Sequence, residues 1–268
     1  AEAIRIGEEA RLPVQISHIK LGSQVVWGRS AEVVALIDRA RRRGVDVTAD
    51  CYPYTAWSSG IKVLVPSGRH DDSTHVAKGL ADVGGAANVT ITSFKKHPEY
   101  EFKTLATLAQ NQGVTPVEMY MQIVKDGGAG VVCHAMKDED IRTFYQTPWV
   151  MVSSDGGIGM RHPRGAGSFP RVLGRVVRER SWLKLEEAIR KMTGLPAERL
   201  GLKDRGFLRA GMKADLVIFD PARVVDRSTF AEPGLTSEHI NLVFVNGVEV
   251  WRDGQTTGHK PGMILRHK

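Results

Sequence analysis

Cysteine is scarce in this sequence, with two residues among 268. Cys51 and Cys133 lie in strand-like segments and do not form the spaced framework that disulfide-rich secreted domains carry. We therefore expect both thiols to be reduced and the chain to be cytoplasmic.

Long apolar runs are also missing, because no stretch approaches the ~20 residues that a membrane-spanning helix needs. The opening segment AEAIRIGEEARLP is charged and amphipathic, which is not typical of a signal peptide. The sequence begins at Ala1 rather than methionine, so we expect a processed, excised or truncated chain. No membrane partner is expected.

The excess of basic residues is small and dispersed, with 37 Lys and Arg against 30 Asp and Glu and a net charge of +7. The one tight run, Arg39 with Arg41 to Arg43, ends a predicted helix, where cations meet the negative end of the helix dipole. This pattern does not form a continuous basic face, and we expect no nucleic-acid partner.

Helical and strand-like segments alternate along residues 1–50. The pattern predicts helices over 2–10 and after Ser30, and strands over 13–16 and 45–48. This order favours an α/β fold with a parallel sheet wrapped by helices. Further buried strands are predicted over 130–133 and 149–152.

From Gly206 onward the sequence becomes rich in β-forming residues. Two strand-like runs, INLVFV and VEVWR, flank the pair Asn246-Gly247, which is a strong hairpin signal. We predict a small antiparallel β-domain for this part of the chain.

The segment PWVMVSSDGGIGMRHPR (148–164) carries the clearest functional signal. Trp149 to Val152 predicts a buried strand, and Ser153 to Gly157 permits a sharp turn. Asp155 is thus delivered at the carboxyl end of a buried strand, where α/β barrels keep their active sites. Taken alone, it could equally cap a helix or open a turn.

Four segments in this order, SHIK (17–20), DCYPY (50–54), SSDGG (153–157) and HPR (162–164), resemble one family. It is the N-acyl-D-amino-acid deacylase (D-aminoacylase) family of the metal-dependent amidohydrolase superfamily. The resemblance extends to GMKADLVIFD (211–220) and covers nearly all of the sequence, as the C-terminal portion of such an enzyme.

The resemblance implies the second half of a TIM-like (β/α)8 metallo-dependent hydrolase barrel over residues 1–203. Part of a small β-sandwich domain would follow over residues 204–268. The strands near 14–18, 46–50, 130–133 and 149–152 would be the last four of the barrel. Because half a barrel leaves unpaired strand edges, we expect an N-terminal half-chain or a homo-oligomer partner to complete it.

The resemblance also implies zinc-dependent hydrolysis of N-acyl-D-amino acids to a carboxylate and a free D-amino acid, with one or two zinc ions. His18 matches a metal-ligating histidine of the fifth strand. Asp155 matches the eighth-strand aspartate that holds the metal-bound water and takes its proton. Substrate contacts are expected from Lys20, Tyr52, Tyr54, His134, His162 and Arg164.

Several family ligands have no counterpart in this sequence. It contains no His-x-His pair, and the family's bridging cysteine or its equivalent cannot be matched. The segment DVTADCYPY also lacks the histidine expected on the sixth strand, where Cys51 or Tyr52 stands nearest. We therefore expect the chain alone to be inactive.

Two alternatives remain open at this stage. One is another amidohydrolase activity, such as that of a hydantoinase, a dihydroorotase or a dipeptidase. The other is a non-catalytic remnant that scaffolds a partner chain.

Overall fold

The computed structural model describes residues 1–266. Tertiary contacts divide the chain into two compact units. The first comprises residues 1–19, 34–53 and 142 onward, and the second comprises residues 20–33 and 54–141. These units do not test the predicted domain boundary after residue 203, which stays a prediction. The last two residues of the predicted second domain, 267 and 268, lie outside the described residues.

The described chain contains both helices and strands, and its last four elements are all strands. The helices are α1 (Glu2–Ala10), α2 (Ser30–Arg42), α3 (Ser73–Asp82), α4 (Leu105–Gln112), α5 (Pro116–Lys125), α6 (Asp138–Gln146), α7 (Arg164–Arg171), α8 (Leu185–Met192) and α9 (Gly194–Arg199). The strands are β1 (Val14–Ile16), β2 (Val47–Cys51), β3 (Trp57–Gly60), β4 (Val89–Ser93), β5 (Gly130–Cys133), β6 (Val150–Val152), β7 (Leu216–Phe219), β8 (Ile240–Val245), β9 (Val248–Arg252) and β10 (Gln255–Thr256). A π-helical segment, Val172–Glu179, continues directly from α7.

The first unit contains a three-stranded parallel sheet in the order β1-β2-β6. Val14 pairs with Val47, and Ala49 pairs with Val150. Consecutive residues are buried in β2 (Val47, Thr48 and Ala49) and in β6 (Val150 to Val152), which is typical of parallel strands covered on both faces. Because the strands are parallel, the residues that follow β1, β2 and β6 emerge at the same edge of the sheet.

Helices α2 and α8 are tied to β6 and to the segment that leads into it. Trp149 donates from Nε1 to Oδ1 of Asp38 on α2 at 2.8 Å. Lys191 of α8 is buried and donates from Nζ to the carbonyl oxygens of Thr147 and Val150 at 2.6 and 2.8 Å. These contacts fix the strand that leads to Asp155.

The second unit contains a separate antiparallel sheet in the order β3-β5-β4. Val131 of β5 pairs with Ser59 on one side and with Ile91 on the other. The expectation that Gly130–Cys133 is a barrel strand beside β6 is therefore wrong, because its neighbours in the sheet are β3 and β4. The parallel sheet of the first unit has three strands rather than the expected four.

The predicted C-terminal antiparallel sheet is present in the order β10-β9-β8-β7. Asn246 and Gly247 join β8 to β9, and both have positive φ angles (49° and 81°), as a tight hairpin turn requires. None of the residues in these four strands is fully buried. No helix among residues 1–266 is long and apolar enough to cross a membrane.

Candidate active site at the edge of the parallel sheet

The turn after β6 presents Asp155. The amide of Ser153 continues the sheet by donating to the carbonyl oxygen of Cys51 at 3.0 Å. Asp155 then adopts a left-handed conformation with φ of 46°, which most non-glycine residues avoid and which Asp adopts more often than most. Strain of this kind is often found at functional sites, where the surrounding structure maintains it.

Arg164 at the start of α7 holds Asp155 in place. Its Nη2 atom lies 2.9 Å from Oδ2 of Asp155, and its Nε donates to the Asp155 carbonyl oxygen at 2.9 Å. The Arg164 side chain is 4% exposed and that of Asp155 is 32% exposed. The guanidinium therefore fixes both the backbone and the carboxylate of a residue that still reaches solvent.

Tyr52 and His162 surround this ion pair. The guanidinium of Arg164 lies 4.8 Å from the centre of the Tyr52 ring, a cation–π contact. Burial raises the pKa of the Tyr52 phenol well above its usual range, so this hydroxyl remains protonated. His162 is completely buried, accepts the amide N–H of Arg164 at its Nδ1 atom (3.0 Å), and packs edge-on against Tyr52. Four residues predicted from the sequence are thus brought together.

His18 follows β1 at the same edge of the sheet. It is exposed and, like Asp155, has a left-handed backbone, with φ of 45°. Its amide N–H donates to Oδ1 of Asp50 on β2 at 2.8 Å. Asp50 was not among the residues predicted for the site, although it belongs to the DCYPY segment.

Three other predicted site residues belong to the second compact unit: Lys20, Tyr54 and His134. Tyr54 is 3% exposed, and the amide of His134 donates to the carbonyl oxygen of Asn88 at 2.9 Å. Partial burial lowers the pKa of the His134 imidazole. Their predicted roles as substrate contacts stay predictions.

Two buried polar atoms near Asp155 have no hydrogen-bond partner among the described residues. They are Nη1 of Arg164 and Oγ of Ser153. Buried groups of this kind are rare in folded proteins. Apart from its place in the turn, Ser153 has no sequence feature that predicts a functional role.

Zinc centres in proteins are built from His, Cys, Asp and Glu side chains. Within residues 1–266, no group of three or more His, Cys, Asp or Glu side chains is arranged to hold a metal ion. His18 and Asp155 would supply two donors, whereas catalytic zinc sites use three protein ligands. The described residues alone therefore do not fit a complete zinc centre.

Comparison with known proteins shows where this chain has relatives. The profile of a family described as "Amidohydrolase family" matches residues 16–257. The chain is 39% identical over 267 residues to an N-acyl-D-glutamate deacylase of Alcaligenes xylosoxydans xylosoxydans, covering 99% of this chain and 50% of that relative.

Solved structures of similar proteins also resemble this chain. A D-aminoacylase crystal structure has a TM-score of 0.83 and 36% identity, covering 96% of this chain and 50% of that one. The N-acyl-D-glutamate deacylase of Bordetella bronchiseptica, complexed with zinc and a phosphonate inhibitor, has a TM-score of 0.81 and 36% identity, with coverages of 95% and 51%. The chain spans about half the length of the curated relatives it matches.

Proposed function

This chain belongs to the amidohydrolase family, and from that premise we propose that it forms the C-terminal part of an N-acyl-D-amino-acid deacylase. The complete enzyme would hydrolyse the amide bond of an N-acyl-D-amino acid to a carboxylate and a free D-amino acid. The proposal follows the similarity to N-acyl-D-glutamate deacylase, which this chain matches at 39% identity.

One observation carries the proposal. His18 and Asp155 follow β1 and β6, two strands of one parallel sheet, so both are delivered at its carboxyl edge. Active sites of α/β barrels lie at this edge. Both residues also have a left-handed backbone conformation. In each case a charged side chain forms a hydrogen bond with a backbone group of the residue.

The sheet order supports a revised assignment of His18. Since β2 pairs directly with β6, counting back from Asp155 on the eighth strand makes β2 the seventh strand and β1 the sixth. We propose that His18 is the sixth-strand histidine that the family resemblance implies. The lack of a histidine in DVTADCYPY would then need no explanation, because in this assignment that segment is the seventh strand.

We propose that His18 and Asp155 contribute to a site for one or two zinc ions whose other ligands come from a polypeptide outside this sequence. Zinc bound there would lower the pKa of a water molecule and so supply the nucleophile. The residues of this chain position the site: Arg164 orients the Asp155 carboxylate, and the neutral phenol ring of Tyr52 supports Arg164. The burial of Tyr52 and His162 favours packing roles for both.

The finer fold assignment is also a proposal. The three parallel strands would belong to the second half of a TIM-like barrel, and β7 to β10 to a β-sandwich. An open cavity of about 860 Å³ beside this sheet has a mostly apolar lining that includes Phe169, Leu173 and Val217. Val217 and Ile218 of the edge strand β7 are 56% and 49% exposed. An N-terminal half-chain that covers these surfaces would complete both domains.

The test uses the protein as purified with whatever polypeptide accompanies it. We expect zinc-dependent hydrolysis of N-acetyl-D-glutamate or N-acetyl-D-methionine, and no turnover of the L-enantiomers. We expect the chain alone to be inactive. Turnover of hydantoin or dihydroorotate without turnover of acylated D-amino acids would show a different amidohydrolase activity, and full activity of Asp155→Ala would show that this chain is a scaffold.

A further inference from the structure

Asp50 joins β2 to the turn that presents His18. Its Oδ1 accepts the amide N–H of His18 at 2.8 Å, and its Oδ2 accepts Nε2 of Gln15 at 2.7 Å. Its own carbonyl oxygen accepts the amide N–H of Ile19 at 2.8 Å. One residue therefore binds β1 and the turn after it through three hydrogen bonds.

We propose that Asp50 is a positioning residue whose carboxylate holds the backbone of His18 in its left-handed turn. Non-glycine residues avoid this conformation unless the surroundings impose it. The hydrogen bond from the His18 amide to a charged acceptor is an interaction that offsets the cost of this conformation. Without it, the turn relaxes and the imidazole loses its fixed place at the edge of the sheet.

The orientation of Asp50 is itself fixed by its neighbours. The Thr48 hydroxyl donates to Oε1 of Gln15, so the Gln15 amide must direct Nε2 toward Asp50. Thr48 and Gln15 are paired across β2 and β1. The sheet register thus builds a chain of donors and acceptors from Thr48 through Gln15 and Asp50 to His18.

The Asp155 turn is built in the same way. Asp155 is also left-handed, and Arg164 binds its carbonyl oxygen with Nε at 2.9 Å. At both turns a charged side chain from another segment binds a backbone group of the strained residue. The similarity supports a positioning role for Asp50, because Arg164 and Asp50 act on the two residues expected to carry the chemistry.

The first test measures backbone order directly and does not depend on the proposed function. Hydrogen exchange of the His18 amide is followed in the full chain, with Asp50→Ala compared with Asp46→Ala. Asp46 is an exposed aspartate just before β2 that pairs with Arg199 at 2.9 Å. We expect Asp50→Ala to speed exchange at His18 by about ten- to a hundredfold, with exchange in β6 unchanged, and Asp46→Ala to leave His18 unaffected.

Two further variants separate local positioning from general stability. Asn at position 50 can still accept the His18 amide, so Asp50→Asn should restore most of the protection. Gln15→Leu removes the hydrogen bond to Oδ2 together with the acceptor of the Thr48 hydroxyl, and keeps the bond from Oδ1 to the His18 amide. It should speed His18 exchange by about threefold, a smaller effect than loss of that bond itself. Because Gln15 is exposed, this variant tests the proposal even if Asp50→Ala does not fold.

The consequence for catalysis rests on the proposed function. In the assembled enzyme we expect Asp50→Ala to lower kcat for N-acetyl-D-glutamate by about tenfold or more with a small change in KM, and Asp50→Asn to recover most of the loss. Unchanged His18 exchange in Asp50→Ala would overturn the positioning role even if activity fell. Faster His18 exchange in an assembly that turns over no acylated D-amino acid would instead contradict the proposed function alone.

Discussion

The turn at Asp155 depends on a close approach of two backbone segments. A Cβ atom added at Gly156 would lie 2.8 Å from Cα of Gly165, closer than side-chain carbons approach backbone. Gly165 follows Arg164, the residue that holds Asp155. The absence of a side chain at Gly156 therefore lets the ion pair form.

We predict that Gly156→Ala lowers the free energy of unfolding by about 1–3 kcal/mol, because the added methyl group forces the two segments apart. Gly157→Ala is the matched control, since a Cβ there meets nothing within 4 Å. Urea unfolding monitored by tryptophan fluorescence measures both. Equal effects of the two substitutions would show that the close approach does not constrain the turn.

The positions of His18 and Asp155 could be predicted from sequence, because each follows a short apolar run that reads as a strand. Asp50 could not be found in this way. Its bonds join residues 32 and 35 positions apart, and they depend on the register of β1 against β2. Local patterns identify strands and the residues after them, whereas register is a property of the folded sheet.

The same limit applies to whole elements. The run GVVC correctly predicts a strand over residues 130–133, but an apolar run does not reveal its partners. Those partners, β3 and β4, begin 73 and 41 residues earlier and pair antiparallel. Resemblance to a barrel suggests parallel neighbours instead. The run ANVTITSF (87–94) does predict an inserted strand, which is confirmed as β4, but no local pattern predicts its pairing with β5.

The N-terminus of helix α2 is capped by a carboxylate from helix α6. Asp140 of α6 is 2% exposed and accepts the amide N–H groups of Gly28 and Ser30 at 2.9 and 3.2 Å. We predict that Asp140→Ala destabilises the protein by about 1–3 kcal/mol, because the buried amide of Ser30 and the amide of Gly28 lose their acceptor. Thermal unfolding measures the loss, with Asp138→Ala as a partly exposed control on the same helix. A similar melting temperature for Asp140→Ala and the parent would contradict the capping role.

Helix α8 gives the sheet a pH-dependent contact. Burial lowers the pKa of Lys191 to about 8, although Glu187 lies 3.6 Å away. Between about pH 8 and pH 10 the unfolded chain therefore binds more protons at this lysine than the folded chain does. The contribution of Lys191 to stability then rises with pH, by at most about 1.4 kcal/mol per unit.

We predict that Lys191→Met removes this rise, so that the stability of the variant increases less from pH 8 to pH 10 than that of the parent. Urea unfolding at a series of pH values provides the comparison. Lys184→Met, at an exposed lysine beside α8, should keep the slope of the parent. If the free energy of unfolding depended on pH in the same way for Lys191→Met and the parent, the lowered pKa of Lys191 would be refuted.

At the scale of the whole molecule, the chain carries the two turns that we propose to be functional but lacks a complete metal site among its described residues. It spans about half the length of its curated relatives, and its C-terminal sheet exposes apolar side chains. These facts are explained together if a second polypeptide supplies the remaining ligands and covers the exposed surfaces. The cytoplasmic location of such an assembly stays a prediction.

The most direct test is turnover of N-acetyl-D-glutamate by the protein purified with its accompanying polypeptide, compared with the same assembly carrying Asp155→Asn. We predict measurable zinc-dependent hydrolysis that falls by about a hundredfold or more in the variant, because in our proposal this carboxylate takes a proton in the reaction. The purified chain alone should show none. Equal rates for the parent and Asp155→Asn assemblies, or activity of the isolated chain, would contradict the account.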